Sequence, residues 1–190
     1  MFIGGKAAPG YKDAKGFIKL INSVAARVNN DGSINDLLKV IFLKNYCVSN
    51  AQIIIPAADL SQHISTAGTE ASGTSNMKFI MNGSLIIGTM DGANVEIAEE
   101  VGKENMFIFG GDVHQVDRYR ALDDNARKGK LDGRLRQVFK AIYENKFGPL
   151  NDEIKGYISR IESGNDHYGL GLDFASYCDA QERADRTYKD

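Results

Sequence analysis

The chain has 190 residues, 43% hydrophobic and 25% charged, with a formal net charge of −2. That balance fits one globular domain with a sizeable core, and it excludes the broad basic footprint that nucleic acid or an anionic membrane surface would require. Two distant cysteines, Cys47 and Cys178, rule out a disulfide framework and a CxxC metal or redox pair. The longest apolar run, residues 53–58, is far too short to span a membrane, and "MFIGGKAAPG" lacks the pattern of an export signal. A reducing, cytoplasmic setting is expected, with no nucleic acid, membrane or metal partner.

Residues 1–3 read as the tail of a strand stopped by Gly4 and Gly5, and "APGY" supplies a turn. Ala14, Phe17, Ile18, Ile21, Val24, Ala25 and Val28 recur at helical spacing and predict an amphipathic helix over 11–28, terminated by "NNDGS". "LLKVIFL" at 37–43 is expected to be a buried strand. Strand, helix, strand in that order predicts a βαβ unit and a parallel sheet.

Ser49 can cap a short helix that ends near Pro56, because proline disfavours helical geometry at the residue before it. "LSQHIS" reads as a short strand, "TSNMKFIMNG" as a short helix between hydroxyl residues and Gly83, and "SLIIGT" at 84–89 as a strand. "NVEIAEEVG" then reads as a helix and "NMFIFG" as a strand closed by Gly110 and Gly111. From Asp112 onward the pattern is helical. Three apolar stripes are expected to face a core: Leu135, Val138, Phe139 and Ile142; Ile154, Tyr157, Ile158 and Ile161; and Phe174, Tyr177, Cys178 and Tyr188. The expected organisation is an α/β segment over 1–111 and a helical segment over 112–190, packed on the same domain.

The stretch "TAGTEASGTSNMKF" at 66–79 is unusually poor in bulky side chains up to Met77. Gly68, Ala71, Ser72 and Gly73 allow close backbone approach to a ligand. The helix start that follows offers unpaired N–H groups and a favourable dipole, so 73–76 is a candidate anion cradle to which Thr74 and Ser75 add hydroxyls. The dipole contributes only about 0.3–1 kcal/mol when exposed, so tight phosphate binding needs more. Lys78 stands about one turn further on, and a desolvated lysine can form a Schiff base with an aldehyde. Phosphate plus aldehyde describes pyridoxal phosphate. The same letters also spell a flexible linker with a solvated lysine; no GxxxxGK[ST] pattern is present, and composition alone leans to the linker.

"EASGTSNMKF", together with "IGGKAAPGY", "IPAADLSQHISTAGT" and "GTMDGANVEI", closely resembles the α-glucan (glycogen or starch) phosphorylase family. The match is dense over 3–110 and continues more weakly through "DFASYCDAQERADRTYKD". The resemblance implies that Lys78 holds pyridoxal 5′-phosphate as an internal Schiff base, with Thr74 and the backbone of Ser75 at the phosphate and Tyr46 and Ala51 bordering the ring. It implies that Glu70, Ala71, Ser72 and Gly73 bind glucosyl hydroxyls, Glu70 as the acceptor. Asp91, in a matching block, is read as structural.

The activity implied is phosphorolysis of terminal α-1,4-linked glucose in a glucan by inorganic phosphate, giving glucose 1-phosphate. The cofactor's phosphate, not its imine, exchanges a proton with inorganic phosphate, and Lys78 anchors and positions it. The implied fold is α/β, part of a Rossmann-like domain of a two-domain glycosyltransferase (GT-B type) architecture followed by C-terminal helices. The full-length protein is implied to be a homodimer, and this chain a piece of its C-terminal domain with little or no activity alone.

Cys47 stands where animal members commonly carry arginine, and is read as a packed side chain. His63, where glutamine is also found, is read as a hydrogen-bonding packing residue, His114 and His167 as surface residues, and Lys6 as part of a structural turn. The alternative function is a non-catalytic remnant that binds carbohydrate or a partner subunit. A nicotinamide-binding domain is disfavoured, since the GxG in "GLGLDF" lies among late helices rather than after a strand.

Overall fold

The structure is a computed structural model that describes residues 1–34, 37–149 and 152–189. It divides into two compact units that interleave along the chain: Met1–Asn50 with Gly133–Glu162, and Ala51–Asp132 with Ser163–Asp190.

In the first unit, β1 (Phe2–Gly4) pairs in parallel with β2 (Ile41–Leu43), Phe2 opposite Ile41, and the crossover is α1 (Lys12–Asn29). The expected βαβ unit is present. The expected strand over 37–43 is not: β2 covers its last three residues, Leu37 is 89% exposed, and Ile41 is also exposed. The reason lies in Asn29, whose side-chain amide donates to the Val40 carbonyl at 2.8 Å and accepts from the Val40 N–H at 2.9 Å. Both main-chain groups of Val40 are thereby paired with a side chain, so the ladder starts one residue later.

α7 (Gly133–Tyr143) and α8 (Asp152–Glu162) complete this unit. Leu135, Phe139 and Ile142 are buried while Val138 is exposed on the flank; Ile154, Ile158 and Ile161 are buried. α8 packs on α1, with the Phe17 and Tyr157 rings edge to face at 5.0 Å.

The second unit contains a three-stranded parallel sheet in the order β3 (Leu60–His63), β4 (Leu85–Gly88), β5 (Phe107–Ile108). α3 (Ser75–Met81) and α4 (Asn94–Val101) are the crossovers, a 3-10 turn at Lys103–Asn105 leads into β5, and α2 (Val48–Ile54) precedes β3 in the chain. β4 is the centre of the core because consecutive side chains of a strand point to opposite faces. Ile86 packs with Ala98 and Met106, and Ile87 with Phe109, Ala180 and Ala184. Both isoleucines are 0% exposed, and each contributes about 1.5–3 kcal/mol by leaving water.

The remaining helices are α5 (Val113–Arg120), α6 (Asp124–Gly129) and α9 (Leu170–Lys189). Asp112 and Gln115 form a reciprocal capping box on α5, and Asp123 caps α6. The stripe expected on α9 is corrected. Its fully inward residues are Ala180 and Ala184, with Tyr177 partly buried beside them, while Tyr188 is 79% exposed. Small side chains let the helix backbone approach β5 closely, so packing selects alanine over the larger aromatic rings.

Candidate functional site

The segment after β3 leaves the carboxyl end of a parallel strand, the edge at which open α/β sheets bind ligands. Its shape is set from outside. Asp91, just past β4 and buried, accepts the backbone N–H of Gly68 at 2.9 Å through Oδ1, and those of Glu70 at 2.8 Å and Thr69 at 3.3 Å through Oδ2. Charged acceptors make short, strong hydrogen bonds, so one carboxylate fixes three consecutive peptide groups. Thr69 donates its hydroxyl to the Thr66 carbonyl at 2.6 Å, and Thr89 donates to the Ser65 carbonyl at 2.6 Å.

The far end of the segment docks on the turn before α4. The Ala93 N–H donates to the Ser72 carbonyl at 2.6 Å, and a Cβ at Gly92, where φ is +51°, would overlap that same carbonyl. Gly73 then turns the chain through φ +74° into α3. Thr74 occupies the N-cap position of α3 without using its side chain as a cap. Asn76 points inward at 3% exposure and donates to Asn94 at 2.9 Å, and Asn94, 2% exposed, donates on to the Thr89 carbonyl at 3.0 Å. This buried amide relay ties α3, α4 and the end of β4 together.

The result is a cavity of about 360 Å³ whose wall includes Glu70, Ser72, Gly73 and Ser75, with His63, Asn76 and Asp91 beside them. Both Asp91 oxygens are occupied by the backbone. The Glu70 side chain is exposed and its carboxylate makes no hydrogen bond or ion pair among the described residues, so it is the carboxylate open to a hydroxyl donor. His63 sits 3.2 Å from the Ser61 hydroxyl through Nε2, edge-on to Phe79 at 6.0 Å between ring centres. Burial holds its pKa below the ordinary 6.5, so the ring is a neutral hydrogen-bonding group at neutral pH.

The other expected site residues are distributed as follows. Ala71, Thr74 and Lys78 are exposed and do not line the cavity, and Ala51 is half-buried in α2. Tyr46 belongs to the first unit, where its ring lies 3.0 Å from the position a Cβ on Gly4 would take, and Cys47 is half-buried and unbridged. The expectation of a desolvated pocket around Lys78 is corrected: its side chain is exposed. Asn76 lies two residues before it, and two helical residues span about 200°, so turning Asn76 inward turns Lys78 outward. Lys78 shares the outer face with Thr74, whose carbonyl accepts the Lys78 N–H.

Sequence reasoning missed Asn76, Asn94 and Thr66. The signal available was the placement of asparagines in first helical turns beside glycines, positions where an amide makes local hydrogen bonds rather than solvating a surface. Asp91, by contrast, holds the structural place read for it.

A family model described as carbohydrate phosphorylase matches residues 1–190. Among curated relatives, the chain is 57% identical over 190 residues to a protein named glycogen phosphorylase 2 of Dictyostelium discoideum, covering 100% of this chain and 19% of that protein. It is 52% identical over 186 residues to glycogen phosphorylase of Saccharomyces cerevisiae, covering 97% and 20%. It is 48% identical over 195 residues to alpha-glucan phosphorylase 2, cytosolic, of Arabidopsis thaliana, covering 100% and 23%. The chain thus spans about a fifth of the length of these relatives.

Proposed function

Because the chain belongs to the carbohydrate phosphorylase family, we propose that it carries the cofactor lysine and part of the glucosyl site of an α-glucan phosphorylase. The reaction proposed for the whole protein is attack of inorganic phosphate on a terminal α-1,4-linked glucose of a glucan, releasing glucose 1-phosphate. Its proposed architecture is of the GT-B type, with this chain a Rossmann-like segment followed by C-terminal helices. A homodimer in the cytoplasm is the proposed state, in line with the compartment named for the Arabidopsis relative.

The observation that carries this reading is the face of α3 shared by Thr74 and Lys78, which opens directly after the left-handed turn at Gly73. The donor set there fits pyridoxal 5′-phosphate: an amine for the aldehyde, and the Thr74 hydroxyl with the Ser75 N–H for the phosphate, none of them engaged by another described residue. When bound, the cofactor supplies a phosphate that exchanges a proton with inorganic phosphate.

The chain's own residues position rather than react. Lys78 would hold the aldehyde, and the Thr74 hydroxyl with the Ser75 N–H would hold the phosphate. Glu70 accepts a sugar hydroxyl, and Ala71, Ser72 and Gly73 present backbone groups to the same sugar. Asp91 presets that backbone before any ligand arrives, which lowers the entropic cost of binding. Ala51 would border the ring. Covering the exposed face of α3, and so drying the Lys78 amine, is the part assigned to the remainder of the phosphorylase.

The test is incubation with pyridoxal phosphate, borohydride reduction and peptide mapping. The label is expected to concentrate on the peptide bearing Lys78; uniform labelling of the lysines rejects the assignment. Robust glucose 1-phosphate release from glycogen by the 190-residue chain alone would reject the role given to the remainder of the protein.

A further inference from the structure

The second unit has another cavity, of about 460 Å³, which shares Ile64 and Ser65 with the first but contains none of the residues assigned above to sugar or cofactor. Its volume lies within the ordinary range of small-molecule sites. The rings of Phe109, Phe174 and Tyr177 form its apolar wall, Phe109 and Tyr177 meeting edge to face at 5.1 Å.

Three hydroxyl donors of this wall are already engaged. Thr66 donates its hydroxyl proton to the Tyr168 carbonyl at 2.7 Å, Thr69 donates to the Thr66 carbonyl at 2.6 Å, and Tyr177 donates to Gln62 at 2.8 Å. Those three protons are committed within the protein, whereas among the described residues the Ser65 and Tyr168 hydroxyls keep theirs. The strongest acceptor is Asp173 in the first turn of α9. Its Oδ1 takes the Gly111 N–H at 2.9 Å, and its Oδ2 has no partner among the described residues. No cation among the described residues lies against it. The Asp166 carboxylate acts on it, itself occupied by Tyr119 and by the N–H groups of Leu170 and Gly171. Burial raises the Asp173 pKa, the Gly111 N–H opposes that rise and Asp166 adds to it.

We propose that this cavity binds a small organic cation, a protonated amine on a flat apolar body, with Asp173 Oδ2 receiving the ammonium and the aromatic wall receiving the body. The charge-assisted hydrogen bond and the ring faces both favour a cation over a neutral ligand of the same shape. A neutral polyol fits less well, because it forgoes the charge-assisted bond to Asp173 and leaves the Phe109 and Phe174 rings against hydroxyls. The proposal is independent of the role of Lys78.

The experiment is a ¹H–¹⁵N titration of the 190-residue chain at pH 7 with 2-phenylethylamine. Saturable shifts are expected at the Gly111 amide and at the amides of residues 66–69. 3-Phenylpropionate, which has the same body and the opposite charge, should bind at least about tenfold more weakly to the unchanged chain. Asp173→Asn, which keeps an oxygen for Gly111, should weaken the amine by a similar factor. Absence of saturation by about 10 mM amine, equal affinity for the two charge types, or displacement of the amine by D-glucose would each overturn the proposal. The comparison of two ligands on the unchanged chain decides the matter even if the variant does not fold.

Discussion

Residues 66–73 and helix α3 are adjacent in the chain and are held in opposite ways. The first has no regular secondary structure, yet Asp91 binds three of its N–H groups, the Ala93 N–H holds its far end, and its own threonine hydroxyl closes a turn. The second is a regular helix fastened on one side by the buried Asn76 and leaving Thr74, Ser75, Met77 and Lys78 on the surface. The difference separates two kinds of site residue. Where function needs backbone geometry, the fold invests buried charge and amide pairs elsewhere in the sequence. Where function needs a side chain, the fold supplies a platform and leaves the side chain free.

Substitutions can break that contrast. The largest effect is expected from Asp91→Ala, which orphans three N–H groups; hydrogen bonds to a charged partner contribute about 1.5–3 kcal/mol each, so a loss of about 3 kcal/mol or more is expected. Urea unfolding measures it, and a loss below about 1 kcal/mol would mean that the segment is not clamped. Gly92→Ala comes next, with a cost of about 2 kcal/mol from the left-handed φ and the overlap with the Ser72 carbonyl. It should also loosen the amides of residues 70–73 in hydrogen exchange, which a purely local strain would not.

A smaller effect concerns pH. The native pKa of His63 lies below its unfolded value of 6.5, so on acidification through 6.5 the unfolded chain takes up a proton that the native chain refuses. Stability should therefore fall as pH drops through this window. His63→Gln should reduce the difference in Tm between pH 7.5 and 5.5; an unchanged difference would remove His63 from the account. The smallest stability effect is expected at Lys78→Ala, within about 0.5 kcal/mol because the side chain is exposed. That variant should nevertheless lose the borohydride-trapped label on its own peptide, so stability and labelling separate at this position as they cannot at Asp91.

Much of the architecture was legible because period and punctuation agree: the crossover helix expected at 11–28 is α1 at Lys12–Asn29, and the parallel pairings follow from alternating strands and helices. What failed depends on partners distant in sequence. Nothing in "LLKVIFL" announces that Asn29 occupies the backbone of Val40, and nothing in α9 announces that close approach to β5 selects Ala180 and Ala184. The family blocks pointed to the loop and to Lys78, and Asp91 was read correctly as structural. The outward aim of Lys78 followed from Asn76, whose burial depends on pairing with Asn94. That pairing spans two helices and leaves no periodic trace.

The interleaving of segments also constrains biosynthesis. The first unit needs Gly133–Glu162 and the second needs Ser163–Asp190, so during translation neither can close when its opening half leaves the ribosome. Sheet edges and apolar faces made early must wait for helices made late, the condition in which nascent chains depend most on chaperones. Synonymous codon changes that slow elongation across residues 120–160 would lengthen that wait, and would lower soluble yield without altering one amino acid.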